Sequence, residues 1–243
     1  MPATNTSESP IPWGCYEQLR PVQIEHIQSY RPLAFIPWGA LEFHSQHNPI
    51  GLDGMQAHGQ CKALAAAYGG IVLPPVYIAT DTIKLFKGFP HSIEHAASTV
   101  HTIALEYLHQ LTEEGFDRIV IVTGHCGGGH TSTLSDAVDG FNATAPTSKH
   151  QRSARALLIP SFEPIQAEHP SNHAALEETS FQLLFDGDLV DLEALPKGRV
   201  ATLDDDGVWG TDPRGATAEL GQRMLALFTT RCEARISSLL KAN

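Results

Sequence analysis

The stretch LAFIPWGALEFHSQHNPIGLDG, residues 33–54, decides the fold. Its first six residues, Leu33 to Trp38, are a short continuous apolar run, the mark of a buried strand. Gly39 ends the run, and the Gly-, Pro- and Asn-rich residues that follow read as loop. A second run of this kind, Arg118 to Thr123 (RIVIVT), leads straight into GHCGGGH, residues 124–130. IVLPPVYI (71–78) and ALLIP (156–160) read as two further strands. Between the strands lie helical patterns. One runs from Met55 to Tyr68 and is closed by Gly69-Gly70. Another places Val100, Ile103, Tyr107, Leu108 and Leu111 at helical spacing and stops at Gly115. Further helices are expected from His130 to Phe141, from Glu177 to Phe185 and from Ala216 to Leu240. Strands alternating with helices predict an α/β fold, a three-layer α/β/α sandwich around a mainly parallel sheet.

The chain has 243 residues, 42% of them hydrophobic and 18% charged, which suits one globular domain with a substantial core. Residues 1–12 are polar and Pro-bearing and are expected to form a flexible arm, with a single domain over 13–243. The polar stretch from Asn142 to Ser153 is the nearest thing to a linker. A net charge of −11 disfavours nucleic acid and anionic membrane surfaces as partners, because like charges repel. No apolar stretch reaches the roughly 20 residues of a membrane helix. MPATNTSESP carries neither a basic nor an apolar signal region. Cys15, Cys61, Cys126 and Cys232 are scattered and read as reduced thiols, so a cytoplasmic location is expected.

The chemistry gathers where strands end. Glu42 and His44, spaced i and i+2, share a direction if the chain is still extended there. They follow the first strand, and open α/β sheets bind ligands beyond the carboxyl ends of their strands. Asp53 stands directly before a helix and by itself reads as an N-cap. His125 follows the second run and so reaches the same sheet edge. Glu177 and Glu178 open a helix, where acids are favoured by its dipole, and spacing does not choose between them. Gly127 to Gly129 keep side chains away and would let backbone N–H groups meet a substrate. GHCGGGH matches neither common phosphate-binding pattern. Cys126, with His125 or His130 as base, offers a thiol nucleophile, although adjacent residues seldom face each other and no third orienting group is evident.

Taken together these segments resemble the creatininase (creatinine amidohydrolase) family. Gly39 to His44 with Gly51-Leu52-Asp53 is similar to its GAxExHGPHLPLGTD signature, and Gly88-Phe89-Pro90 to its FPGT. Thr123 to Gly128 stands where the family has NGHGGN. HAALEETS, from His173, resembles HAGxxETS, and GVWGTDPRGATAE, from Gly207, resembles GVxGDPxxATAE. The resemblance spans about Leu33 to Gly221. It implies a fold often assembled as a homo-hexamer, with two divalent ions, zinc foremost and manganese or iron as alternatives. Glu42 and His125 would hold one ion, His44 and Glu178 the other, and Asp53 would bridge them. Water shared by the ions would ionise near neutral pH and attack a carbonyl carbon. His173 would protonate the leaving nitrogen. Backbone N–H groups around Cys126, Gly127 and Gly128 would bind substrate and the developing oxyanion.

Departures from the family bear on the substrate. Creatininase carries a glutamate where Gly127 stands here, and its two asparagines in NGHGGN are Thr123 and Gly128. His91-Ser92 follows Pro90 in place of the FPGT threonine, and no tryptophan lies between Val100 and Val208. The expected reaction is therefore hydrolysis of a C–N bond, in a cyclic amide or formamide of a small polar molecule other than creatinine. Family members also include a deformylase acting on a pyrimidine nucleotide precursor and a peptide-processing enzyme of redox-cofactor maturation. A third, which opens a dehydro-inosose ring at a C–C bond, supplies an alternative. A non-catalytic metal-containing binder is another.

Overall fold

All six residues from Leu33 to Trp38 are buried, and they form the middle strand of a five-stranded parallel sheet. The structure is a computed structural model that describes residues 11–242. Its strands are β1 (Trp13–Cys15), β2 (Leu33–Trp38), β3 (Gly70–Val72), β4 (Arg118–Thr123) and β5 (Arg155–Pro160), in the order β1-β3-β2-β4-β5. The helices are α1 (Pro21–Tyr30), α2 (Leu52–Tyr68), α3 (Ile83–Lys87), α4 (Ala97–Glu113), α5 (Gly128–Thr144), α6 (Leu176–Asp186), α7 (Leu203–Asp206) and α8 (Ala218–Lys241). No helix among the described residues is long and apolar enough to cross a membrane.

β2 and β4 are buried throughout because both sheet faces are covered. Ala34, Ile36, Trp38, Ile119 and Ile121 pack with Val100, Ala104 and Leu108 of α4 and Leu134 and Phe141 of α5. The alternate residues, Leu33, Phe35, Val120 and Val122, pack on the other face with α2, α6 and α8 through Leu64, Phe181 and Phe228. Period-two alternation thus divides each strand between two cores. β2 and β4 pair in register along their whole length, from Leu33↔Arg118 to Trp38↔Thr123. The chain leaves β2 toward β3 and leaves β4 toward β5, in opposite directions along the sheet. The crevice at their carboxyl ends is the place where such sheets bind ligands.

Several expectations are refined. IVLPPVYI pairs as a strand only at its start, because Pro74 and Pro75 lack the N–H a ladder needs. Val76 then returns to β2, donating to the Pro37 carbonyl at 2.9 Å. Asp53 is not an N-cap: Gly51 holds that position and Asp53 lies inside the first turn of α2. Asn142 to Ser153 is not a linker. It comprises the end of α5 and a tight return in which Thr147 and Ser153 bridge. β1, α1 and the short α3 and α7 have no counterpart among the expected elements. α1 begins with Pro21 in its first turn, where a missing N–H costs nothing, and Gln23 closes its start by accepting from the Arg20 N–H at 3.0 Å. Of the expected arm, residues 1–10 lie outside the described residues, while the Pro12 carbonyl accepts from the Gly70 N–H at 3.2 Å.

Candidate metal centre

Two glycines make the site possible. A Cβ on Gly39, just past β2, would sit 2.3 Å from the Gly54 nitrogen, and one on Gly124, just past β4, would sit 2.0 Å from the Asp53 carbonyl oxygen. With no side chain at either position, the first turn of α2 rests directly on the two strand ends and sets Asp53 between them. Glu42 and His44 lie on the loop after β2, which is closed where the Glu42 N–H donates to the Ile50 carbonyl at 2.9 Å. His125 follows β4, and Glu178 stands in the first turn of α6. Asn48 ties that turn to the β2 loop by donating to Thr179 Oγ1 at 3.0 Å.

The structure brings Glu42, His44, Asp53, His125 and Glu178 into one buried cluster, none more than 5% exposed. His44 Nε2 lies 3.1 Å from Asp53 Oδ1 and 3.7 Å from Glu178 Oε2. His125 Nδ1 lies 2.9 Å from Glu42 Oε2 and 3.3 Å from Asp53 Oδ2. Asp53 thus presents one oxygen to each imidazole. The ligand atoms form two sets that share Asp53, Glu42–Asp53–His125 and His44–Asp53–Glu178, each within 4.8 Å, and Glu42, His44 and His173 form a third.

Backbone carbonyls set both rings. His44 Nδ1 lies 3.0 Å from the Glu42 carbonyl, and His125 Nε2 lies 3.1 Å from the Thr80 carbonyl. Each of these nitrogens must carry the proton, since a carbonyl only accepts. The opposite nitrogen of each neutral ring then points a lone pair at carboxylate lone pairs. A cation or a proton between them resolves the repulsion. Glu42 Oε2 and His44 Nε2 are buried with no well-formed hydrogen bond. Three carboxylates with two imidazoles suit zinc, manganese or iron, so donor chemistry and unpartnered atoms both fit a metal pair.

Titration carries the same message. Burial would lower the pKa of His44, but Asp53, Glu178 and Glu42 raise it to about 10. His125 is raised against its burial by Glu42 and Asp53. Burial, with help from Asp53, pushes Glu178 up to about 8 against the pull of His44. Asp53 and Glu42 stay low despite burial because the imidazoles face them. Negative charge in excess of its partners, far from water, draws in protons where a cation would otherwise sit.

Glu42, Asp53, His125 and Glu178 of the cluster line a cavity of about 320 Å³. His173 lines it, its ring stacked on His44 at 4.4 Å between centroids and its Nε2 2.9 Å from the Phe43 carbonyl. Burial and nearby His44 push its pKa down to about 4, so its ring is neutral and Nδ1 is an acceptor. Cys126 and Gly127 line the cavity too, but Gly128 faces an adjoining groove. Burial pushes the Cys126 thiol up to about 12, reinforced by Glu178, so it is protonated and a poor nucleophile. Its Sγ donates to the Gly124 carbonyl at 3.5 Å. Glu177 turns aside, accepting from Asn172 Nδ2 at 3.0 Å.

Three further residues shape the cavity without having been singled out in the sequence. Trp209, 58% exposed, forms one wall and is bridged to His173 by two backbone hydrogen bonds of 2.8 and 2.9 Å. Asp81 contributes a carboxylate. Glu94 accepts four hydrogen bonds, 2.6 to 2.9 Å long, from Thr80, Asp81 and Thr82. That pins the loop whose Thr80 carbonyl holds His125 and whose Ile83 N–H donates to Glu42. Of the three, only Trp209 left a visible signal, as a large aromatic between glycines.

The family model for creatininase, described as creatinine amidohydrolase, matches residues 17–236. No curated protein matches the chain in sequence. A tryptophan-to-phenylalanine mutant of creatininase superposes with a TM-score of 0.77 at 18% identity, covering 94% of this chain and 99% of that one. A creatininase mutant described as Zn-Zn type gives 0.72 at 18% identity, covering 94% and 98%. A creatininase described with Mn gives 0.72 at 19% identity, covering 94% and 99%. At these identities the structural likeness establishes the α/β fold.

Proposed function

The chain belongs to the creatininase (creatinine amidohydrolase) family of hydrolases, and on that premise we propose that it is a two-metal hydrolase cleaving a C–N bond in a small polar substrate. One observation carries the reading: Asp53 is shared between two sets of buried ligands, with one carboxylate oxygen toward each histidine. Glu42 and His125 would hold one ion, His44 and Glu178 the other, and Asp53 both. Zinc is the first choice and manganese or iron the alternatives, in keeping with zinc and manganese in creatininase neighbours. Ions held there would supply an ionised water at neutral pH and polarise a carbonyl.

The chain's own residues do the rest. The cavity is at the small end of ligand pockets, which suits a cyclic amide or a formamide. His173, neutral and with Nδ1 as acceptor, would take up the proton that the shared water loses on ionising and return it to the leaving nitrogen. The Gly129 N–H is already taken by Asp81, so oxyanion contacts fall to the N–H groups of Cys126 and Gly127. Gly127 stands where creatininase has a glutamate, and this altered wall favours turnover of a substrate other than creatinine without barring creatinine as a ligand. The ring-opening C–C hydrolysis known in the family remains the second reading, since Trp209 offers a flat apolar face to a ring. The decisive experiment couples metal analysis with a hydrolysis screen over lactams, formamides, cyclic ureides and cyclic diketones. Two ions per chain are expected, with turnover abolished by chelation and restored by Zn²⁺ or Mn²⁺. Turnover that survives complete removal of metal sinks the proposal.

A further inference from the structure

Asp81 holds a conformation that L residues avoid, and it does so inside the cavity. Its φ is +64°, in the left-handed region, which few residues besides glycine, asparagine and aspartate enter. Four hydrogen bonds to Glu94 hold the segment there: those of the Thr80 hydroxyl, the Asp81 N–H, and the N–H and hydroxyl of Thr82. Strain kept in place by so many partners, at the wall of a reactive cavity, points to a side chain whose direction matters.

That direction is well defined. Asp81 Oδ2 accepts from the Gly129 N–H at 2.7 Å, at the start of α5, and among the described residues no other group hydrogen-bonds the carboxylate. The same oxygen lies 3.3 Å from the point where a Cβ on Gly127 would stand, and His125 Nε2 lies 2.8 Å from that point. Asp81 therefore returns a carboxylate to the neighbourhood of position 127, where creatininase has glutamate and this chain has glycine. The charge comes from a different loop of the chain.

Resting on the two-metal reading above, we propose that Asp81 is the specificity-determining carboxylate of this site. It selects substrates that offer an N–H donor, such as an amidine, guanidine or ammonium group, beside the bond to be cleaved. Gly129 engages one oxygen, and among the described residues the other accepts no hydrogen bond and is free for a ligand. A donor there gains a charge-assisted hydrogen bond, whereas a carbonyl in its place meets like charge.

The test uses a matched pair of probes, creatinine and 1-methylhydantoin, which differ by one exocyclic nitrogen against oxygen. Binding of each to zinc-loaded protein is measured by calorimetry for the native chain, Asp81→Asn and Asp81→Gly. Asparagine and glycine both tolerate a positive φ, so neither variant adds strain. The native protein should favour creatinine by about tenfold or more, and both variants should lose most of that preference. Metal content is read in parallel and should stay at the native value in both. Equal binding of the two probes by the native protein overturns the proposal, as does binding of neither at millimolar concentration. So does a preference unchanged in either variant. A native protein that holds no metal yet keeps the Asp81-dependent preference would overturn the two-metal reading alone.

Discussion

Raising the pH should drive the metal-loaded and metal-free forms apart in stability. In the metal-free protein His44, normally near 6.5, is raised to about 10, and Glu178, normally near 4.5, is raised to about 8. A raised folded-state pKa stabilises most below the unfolded value, and that contribution is lost as pH climbs through the folded one. The metal-free fold therefore weakens from about pH 4.5 to about 8 through Glu178, and from about 6.5 to about 10 through His44. Metal binding runs the other way, since each ion must displace the protons its ligands hold. One displaced proton makes apparent affinity rise about tenfold per pH unit, or ~1.4 kcal/mol. Counting His44 alone, two pH units add about 2.7 kcal/mol to the stabilisation by saturating metal. For a chain of this size that widens the gap in Tm by roughly 5–10 °C. Both groups are fully buried, so solvent screening takes little away. Differential scanning calorimetry of chelated and zinc-loaded protein between about pH 6 and about pH 8 reads the gap directly. Parallel curves, or a gap that narrows, would refute a cluster in which protons and metal compete for the same atoms.

Three substitutions probe other parts of the centre. Asp53→Asn weakens both ligand sets at once, so metal content should fall below one ion per chain and apparent affinity by more than about 100-fold. Retention of two ions would show that Asp53 does not bridge. Gly124→Ala places a methyl 2.0 Å from the Asp53 carbonyl and should cost roughly 1–3 kcal/mol in a denaturant titration while also lowering metal content. Unchanged values of both would mean that α2 does not rest on the end of β4. Cys126→Ala should keep turnover within a few-fold, because the thiol it removes is protonated, whereas a cysteine nucleophile would make that variant inactive.

The parts of the molecule that were readable from the chain are those with local causes. β2 and β4 announce themselves because a strand covered on both faces has no polar side to interrupt its apolar run. The residues just beyond them inherit their position from the sheet, so Glu42, His44 and His125 could be placed at one edge from sequence alone. Asp53 could not. Its place depends on Gly39 and Gly124 lacking side chains, and a glycine after a strand reads equally well as a simple breaker. Glu177 and Glu178 show the same limit at closer range. Adjacent helical residues point about 100° apart, so only one meets His44 while the other meets Asn172, and spacing carries no phase until a partner is known. Asp81 and Glu94 lie further out of reach. Nothing in TDTIK or SIEH marks them, because the hydrogen bonds that join them exist only once the chain has folded 12 to 14 residues back on itself. The family motifs supply the candidate ligands together with His173 and Trp209, while the segment around Asp81, which carries no motif, adds a carboxylate to the cavity wall. If the five clustered residues hold metal, the cavity wall is left to set what is cleaved, and the left-handed turn at Asp81 is where this chain should reveal its own choice.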